Sequence, residues 1–127
     1  MNTKRSFILF LTVILLTAGC AASPYKKISA KQGRDLLNND SNTVLLDVRT
    51  EEEFREIRIP NAILIPLDTL QNNVADTLPD KNTTIVIYCR SGNRSKQAAE
   101  ILIGMGYKKV YDMGGIIDWP YETEKNP

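Results

Sequence analysis

Histidine is absent from this sequence, and cysteine occurs only twice, as Cys20 and Cys89. Without histidine the chain cannot carry Ser–His or Cys–His catalysis, nor the common histidine-based metal sites. An excess of charge of one sign is also missing, since 16 Lys and Arg residues stand against 15 Asp and Glu residues. No basic stripe interleaved with aromatic residues occurs, so nothing in the composition supports nucleic-acid binding.

The first twenty residues have the pattern of an export signal rather than of a folded segment. Lys4 and Arg5 precede Phe7–Leu16, a run with a single polar residue. This run is too short to span a bilayer, which takes about 20 residues, and it fits the apolar region of a secretory signal. Leu16-Thr17-Ala18-Gly19-Cys20 then resembles the bacterial lipobox, in which the signal is cut before the cysteine and the thiol is lipid-modified.

This pattern divides the chain into three parts. We expect residues 1–19 to be a signal peptide, residues 20–24 a lipid-anchored tether and residues 25–127 one compact domain. The product would be an exported lipoprotein on the periplasmic or cell-surface side of a membrane. A plain secretory signal and an uncleaved anchor are the alternatives. If Cys20 carries lipid, Cys89 is the only free thiol and cannot form an internal disulfide, which favours a reactive role.

Strand and helix signals alternate from residue 25 to residue 121, as a parallel α/β sheet requires. Strands are predicted at Tyr25–Ile28 (an edge strand), Val44–Val48, Ile63–Ile65, Thr84–Tyr88 and Lys109–Tyr111. The Thr84–Tyr88 run is β-branched and aromatic throughout, which is typical of a strand buried on both faces.

Two capping boxes mark helix starts, Ser29 with Gln32 and Thr50 with Glu53. The first helix is expected to reach about Asn38. The other predicted helical segments are Leu67–Asn73, Ala75–Leu78, Ser95–Gly106 and a short closing helix at Gly114–Trp119.

The loop Cys89-Arg90-Ser91-Gly92-Asn93-Arg94, here called the cysteine loop, joins the buried strand to an amphipathic helix. α/β folds bind anions where a strand's carboxyl end meets a helix amino end. Helix N-termini and neighbouring cations favour the nucleophilic thiolate form of cysteine. We therefore expect Cys89 to be a nucleophile. A buried structural cysteine is the usual alternative for a lone cysteine, but it does not account for the glycine and two arginines.

The other loop residues suit an anion cradle around the sulfur. The backbone N–H groups of residues 90–94 are expected to converge on it as a nest of donors. Gly92 permits a backbone conformation that other residues resist. Arg90 and Arg94 would attract an anionic substrate and hold its oxygens.

Together with Ser95, the cysteine loop resembles the active-site loop of the rhodanese family of sulfurtransferases in its single-domain form. The motifs that also carry this resemblance are Leu46-Asp47-Val48-Arg49 with Glu52-Glu53-Phe54, Ile59-Pro60-Asn61-Ala62 with Ile65-Pro66, and Met113-Gly114-Gly115-Ile116 with Trp119. They extend from Ile28 to about Tyr121. One departure is visible, because Ile57 and Arg58 stand where the family commonly has Gly-His.

The resemblance implies a rhodanese-like domain, a central, mainly parallel β-sheet flanked by helices on both faces. It implies that Cys89 takes sulfane sulfur from thiosulfate or a related donor, as a persulfide, and passes it to cyanide or a small thiol. Arg90, Ser91, Gly92, Asn93, Arg94 and Ser95 would bind the substrate. We expect no cofactor, no metal and a monomer, attached to the membrane only through its N-terminal lipid.

Other functions stay open at this point. Cysteine phosphatases and arsenate reductases also cradle oxyanions in Cys-x-Arg loops, although their loop has five residues before the arginine and this one has four. This chain also shows no evident general acid beside the loop. A non-enzymatic sulfur-carrying or redox-sensing module is a further alternative, and an inert rhodanese-like interaction domain is the least expected.

Asp47 and Arg49 are the candidate residues that position the cysteine loop without themselves binding the substrate. Asp47 follows its strand as Cys89 does, so it is expected either to orient Arg94 or the loop, or to cap a turn or pair with Arg49. Arg49 is expected to pair with Glu53 or Glu52. Arg58 is predicted to be a solvated surface residue rather than part of the pocket rim. Trp119 is predicted to pack in the core or at the rim.

Overall fold

The computed structural model of the protein describes residues 24–126. The predicted signal peptide and Cys20 lie outside these residues, as does most of the predicted tether. None of the helices within the described residues is long and apolar enough to cross a membrane.

Five parallel strands form one sheet in the order β1-β5-β4-β2-β3. The strands are β1 (Lys26–Lys27), β2 (Val44–Asp47), β3 (Ile63–Leu64), β4 (Thr84–Cys89) and β5 (Lys109–Gly115). The helices are α1 (Ala30–Asn39), α2 (Glu51–Glu56), α3 (Leu67–Thr77) and α4 (Asn93–Gly104), followed by a 3₁₀ turn at Ile116–Asp118. The predicted α/β fold with a parallel sheet is confirmed.

Both predicted capping boxes begin helices in the structure. The Ser29 hydroxyl accepts the Gln32 N–H at 3.1 Å, and the Gln32 side chain accepts the Ser29 N–H at 2.9 Å. Thr50 and Glu53 form the same reciprocal pair at the start of α2. Each box satisfies N–H groups that the first helical turn leaves without partners, which fixes where the helix begins.

The sheet has a hydrophobic core on each face. One cluster, here called the α4-side core, packs strand residues against α3 and α4, and it includes Leu46, Ile87, Cys89, Leu70, Val74, Ala98 and Leu102. The other, the α1-side core, includes Leu45, Ile59, Val86, Tyr88 and Met113, with Leu36, Leu37 and Trp119 packed against them. The strands are therefore covered on both faces, as a parallel sheet requires.

Three parts of the prediction differ from the structure. Leu67–Asn73 and Ala75–Leu78 were expected as separate helical turns, whereas α3 is continuous because buried Val74 lies on its inner face. β5 continues to Gly115, beyond the predicted end at Tyr111, because Gly114 and Gly115 pair with Tyr88 and Cys89. The predicted closing helix is accordingly reduced to the short 3₁₀ turn.

The C-terminal segment is fastened to the loop after α2. Arg58 forms an isolated antiparallel bridge with Glu124, and its Nε donates to Glu124 Oε1 at 3.0 Å. It also donates to Asn126 Oδ1 at 2.7 Å and lies over the Phe54 ring. The prediction of a solvated surface arginine is wrong, because only 17% of the Arg58 side chain is exposed. Arg58 thus links the loop after α2 to the C-terminal segment.

Candidate active site

Cys89 is the last residue of β4, and only 1% of its surface is exposed. Its Sγ accepts a hydrogen bond of 3.0 Å from the Gly92 N–H. Gly92 adopts a left-handed backbone conformation with φ +107°, which an L side chain rarely adopts. This turn of the backbone aims an amide donor at the sulfur. Of the loop amides that were predicted to converge on the sulfur, the Gly92 amide is the one that donates a hydrogen bond to it within the described residues.

The cysteine loop leads directly into α4. Gly92 is the N-cap residue of this helix, so the positive end of the helix dipole lies beside Cys89. Ser95 is fully buried, and its Oγ donates to the Gly92 carbonyl at 3.1 Å. Ser95 thus holds the turn in place from within, while Ser91 and Asn93 are exposed at the surface of the loop.

The end of β5 supports the other side of the loop. The Ile117 N–H donates to the Arg90 carbonyl at 3.2 Å. A Cβ atom added to Gly115 would collide with that carbonyl and would lie 2.7 Å from the Ser91 Cα. Only glycine allows the strand and the loop backbone to approach so closely.

The two loop arginines have different environments. Arg94 makes a two-pronged ion pair with Glu53 of α2, with Nη1–Oε2 and Nη2–Oε1 distances of 2.8 Å. This pairing lowers the pKa of Glu53 to about 2 and raises that of Arg94. Arg90 is exposed and has no carboxylate partner within residues 24–126. Arg90 is therefore the loop cation available to an anionic ligand.

A cleft of about 550 Å³ adjoins the loop on the side of Arg90. We call it the loop-side cleft; its walls include Arg49, Glu53, Arg90, Ile116, Ile117, Trp119 and Tyr121. Ile117 is 64% exposed. The cleft thus combines an unpaired guanidinium with an apolar wall.

Asp47 and Arg49 form a buried ion pair behind the loop. Arg49 Nη2 lies 2.8 Å from Asp47 Oδ2 and also donates to the Ile57 carbonyl at 2.6 Å. The prediction that Asp47 orients Arg94 is wrong, as is the pairing of Arg49 with Glu52 or Glu53. The alternative, Asp47 with Arg49, is the one that the structure has.

Tyr88 completes the environment of this pair. The Arg49 guanidinium lies 5.5 Å from the centre of the Tyr88 ring, and the Tyr88 hydroxyl accepts the Ile59 N–H at 3.2 Å. Burial and the Asp47 carboxylate raise the Tyr88 pKa, so its hydroxyl stays protonated. Asp47, Arg49 and Tyr88 together hold the ends of β2 and β4 against the chain at residues 57–59.

Glu53 is the residue whose contact with the loop the sequence did not reveal. The sequence placed it in a capping box, in the Glu52-Glu53-Phe54 motif and as a partner of Arg49. It does serve in the capping box, since its Oε2 accepts the Thr50 N–H at 2.9 Å. The same carboxylate also holds Arg94, which lies far along the chain. The predicted packing of Trp119 is confirmed, since it contacts the α1-side core and meets Tyr121 edge to face at 4.9 Å.

The fold and this site define a class of protein: a parallel α/β domain with a cysteine loop between a central strand and a helix N-terminus. The described residues contain no group of three or more Cys, Asp or Glu residues that could hold a metal ion. Residues 29–120 match the Rhodanese-like domain family, and the chain belongs to this family.

Individual relatives agree with this assignment. Thiosulfate sulfurtransferase PspE of Escherichia coli K12 is 42% identical over 73 residues, which cover 58% of this chain and 70% of that protein. Adenylyltransferase and sulfurtransferase UBA4 of Candida albicans is 37% identical over 105 residues, but the match covers only 24% of that longer protein and 77% of this chain. A solved structure described as rhodanese with anions from E. coli has a TM-score of 0.62 and 38% identity, and the match covers 65% of this chain and 98% of that one. These relatives support sulfurtransferase chemistry in general.

Proposed function

We propose that the protein is a sulfurtransferase that carries sulfane sulfur on Cys89, taking it from thiosulfate or a similar donor. The observation that carries this proposal is the Gly92 N–H directed at Cys89 Sγ at 3.0 Å. A donor in this position favours a negatively charged sulfur, which is both the attacking group and the product of the first step. The unpaired Arg90 of the loop adds attraction for an anionic donor.

The first step transfers one sulfur atom to the protein. The Cys89 thiolate attacks the outer sulfur of thiosulfate and forms a new S–S bond. The S–S bond of thiosulfate breaks, and sulfite leaves with the bonding electron pair. The Cys89 thiolate and the thiosulfate dianion thus become the Cys89 persulfide anion and the sulfite dianion. The step therefore requires no proton and no external oxidant.

The second step returns Cys89 to its starting state. A cyanide ion or a thiolate attacks the outer sulfur of the persulfide, and the Cys89 thiolate leaves. The products are thiocyanate or an organic persulfide. Two half-reactions through one covalent intermediate predict ping-pong kinetics.

The persulfide itself is the decisive species to measure. Purified protein is incubated with thiosulfate, and its intact mass is recorded before and after addition of cyanide. We expect a gain of one sulfur atom that cyanide removes with formation of thiocyanate. The Cys89→Ser protein, checked for folding by circular dichroism, should gain nothing. No gain in the wild type with several sulfane-sulfur donors would contradict the proposal, and a stable gain that no small acceptor removes would indicate a sulfur carrier instead.

We further propose that the protein is exported and anchored through a lipid on Cys20. The support is the apolar run Phe7–Leu16 followed by small residues before Cys20. Firm attachment needs more than one acyl chain. On detergent phase separation, the wild-type protein should enter the detergent phase and Cys20→Ser should not. Recovery of the wild type in the aqueous phase would contradict the anchor.

A further inference from the structure

A second concavity lies apart from the cysteine loop. It encloses about 580 Å³ between α1, the turn at residues 59–61 before β3 and the C-terminal segment, and we call it the α1 pocket. Its walls include Leu37, Leu45 and Ile59, which belong to the α1-side core. Cys89 packs in the core on the opposite face of the sheet, and no residue of the cysteine loop lines this pocket.

The α1 pocket contains a half-buried arginine without a counterion. The Arg34 guanidinium lies 3.9 Å from the centre of the Tyr121 ring, and its buried Nε has no hydrogen-bond partner in the described chain. The neighbouring carboxylate of Asp35 is held by Lys31 at 2.8 Å. Removing a guanidinium from water without a carboxylate partner costs free energy. A bound acceptor would offset this cost.

Other inward-facing arginines show how unusual this arrangement is. Arg49, Arg58 and Arg94 each have a carboxylate partner within 3.0 Å. Across residues 24–126, Arg34 and Arg90 are the arginines that have none. Arg90 belongs to the cysteine loop, where an anionic substrate is proposed. Because Arg34 likewise lacks a carboxylate partner, it marks a place for an anionic group in the α1 pocket.

The rest of the pocket limits what that anionic group is attached to. Glu122 also lines the pocket, and its carboxylate is in no ion pair with any described residue. Its backbone is held by Trp119, whose Nε1 donates to the Glu122 carbonyl at 2.9 Å. Trp119 and Tyr121, which also line the pocket, form an aromatic wall with ring centres 4.9 Å apart. A dianion would be repelled by Glu122, whereas a ligand carrying both charges satisfies both side chains.

We propose that the α1 pocket binds a small zwitterion with an apolar body, the chemistry of an aromatic α-amino acid. The carboxylate pairs with Arg34, the ammonium group faces Glu122, and the apolar body lies on the Trp119–Tyr121 wall. The volume of the pocket is within the range of about 300–1,000 Å³ usual for small-ligand sites. Polar side chains of Asn38, Ser41 and Asn61 complete the lining.

The aromatic wall connects the two concavities. Trp119 and Tyr121 line the loop-side cleft as well as the α1 pocket. A ligand in the α1 pocket therefore touches a wall that the proposed active site shares. The inference goes beyond sulfur transfer and does not depend on it.

Trp119 supplies a direct measurement, because it is the single tryptophan of the chain. Purified protein is titrated with L-phenylalanine while tryptophan emission is excited selectively. Phenylacetate, which lacks the ammonium group, and phenethylamine, which lacks the carboxylate, are titrated in parallel. We expect a saturable change with L-phenylalanine and at least about tenfold weaker binding of each analogue, since one lost charge-assisted contact is worth about 1.4 kcal/mol or more.

Variants test the assignment of the two charges. Arg34→Gln and Glu122→Gln should each weaken L-phenylalanine binding by about tenfold or more. Arg55→Gln is the matched control, because Arg55 pairs with Glu51 on the surface of α2 and does not line the pocket. Glu122 is exposed, so its variant is expected to fold even if Arg34→Gln does not.

Three results would overturn the inference. They are the absence of a saturable emission change, binding of phenylacetate as tight as that of L-phenylalanine, and binding that is unaltered in Arg34→Gln and Glu122→Gln. Because the emission of Trp119 does not depend on turnover, failure of the proposed sulfur transfer would leave this measurement valid, and the reverse also holds.

Discussion

The guanidinium of Arg94 and the carboxylate of Glu53 face each other in a two-pronged ion pair, with both N–O distances at 2.8 Å. This pair joins the start of α4 to α2 and so fixes the cysteine loop from outside. It also neutralises one of the two loop arginines. Arg90 is left as the loop arginine without a carboxylate partner in the described residues, while Arg94 is held by Glu53.

The first prediction concerns the pH dependence of this pair. The pKa of Glu53 is about 2 in the folded protein, below its ordinary value of 4.5, so the pair stabilises the fold only while Glu53 is ionised. Its contribution, about 1–2 kcal/mol, should be complete above pH 4.5 and should disappear as the pH falls toward 2. Urea unfolding of wild type and Glu53→Gln across this range measures the difference.

Glu51→Gln is the control for the Glu53 experiment, because Glu51 pairs with Arg55 in an exposed position on the same helix. We expect it to change the free energy of unfolding little at any pH. A wild-type advantage over Glu53→Gln that stays constant from neutral pH to pH 2 would show that the ion pair is not its source.

The second prediction concerns the contact between β5 and the cysteine loop. Gly115→Ala places a methyl group against the Arg90 carbonyl and the Ser91 Cα, so the loop backbone must move. We expect a loss of about 1–3 kcal/mol in stability and a loss of at least tenfold in kcat/KM for sulfur transfer. Thermal unfolding and the thiosulfate–cyanide assay measure these two effects.

Gly104→Ala is the matched substitution, since a Cβ there has no atom within 4 Å. It lies at the end of α4, where alanine is expected to stabilise the helix by up to about 0.5–1 kcal/mol without altering turnover. Equal effects of the two alanine substitutions on activity would mean that the approach of Gly115 to the loop is unimportant.

The third prediction concerns the buried ion pair. Asp47→Asn removes the negative charge opposite Arg49 and leaves a guanidinium buried without its counterion. Breaking such a pair costs about 3–5 kcal/mol. Asp35→Asn, which removes the partner of Lys31 on the exposed face of α1, should have little effect. Comparable destabilisation by both changes in chemical denaturation would contradict the role assigned to the Asp47–Arg49 pair.

The fourth prediction separates sulfur transfer from phosphate chemistry. Hydrolysis of a phosphate ester requires an acid to protonate the leaving alcohol. Glu53 is the carboxylate that reaches the loop, and with a pKa of about 2 it is ionised at neutral pH. We therefore expect negligible hydrolysis of an aryl phosphate beside measurable transfer of sulfur from thiosulfate to cyanide.

Loop length provides the companion test. Four residues separate Cys89 from Arg94, whereas the phosphatase loops that it resembles have five. Inserting one glycine after Gly92 should strongly reduce sulfur transfer, because it displaces the Gly92 amide from Cys89 Sγ. Faster hydrolysis of aryl phosphate than sulfur transfer by the wild-type protein would favour the phosphatase alternative.

The elements that depend on local patterns were predictable from the sequence. The run Thr84–Tyr88 has no polar interruption, and each capping box lies within four consecutive residues. β5 was predicted too short because Met113-Gly114-Gly115 has no strand pattern, and glycine weakens a strand. The strand continues there because Gly114 and Gly115 pair with Tyr88 and Cys89 of β4 after a shift in register, and pairing between distant segments is not visible in a local pattern.

The same division holds for the candidate site. The cysteine loop is contiguous, so its residues and its position between strand and helix could be predicted. The partner of Arg94 could not, since several carboxylates stand at comparable positions along the chain, and for Asp47 the sequence left Arg94 and Arg49 as alternatives. The partner of Arg94 depends on a contact between segments distant in the sequence, Glu53 of α2 with Arg94 of α4. Arg34 shows the same limit, because its guanidinium packs on the ring of Tyr121, a residue of the distant C-terminal segment.

The pairing of β1 with β5 and the ion pair between Arg58 and Glu124 have a consequence for folding. Both join segments that are far apart in the chain, and non-local pairing of parallel strands slows folding. The β1–β5 pairing and the Arg58–Glu124 ion pair can form only after β5 and Glu124 have emerged from the ribosome.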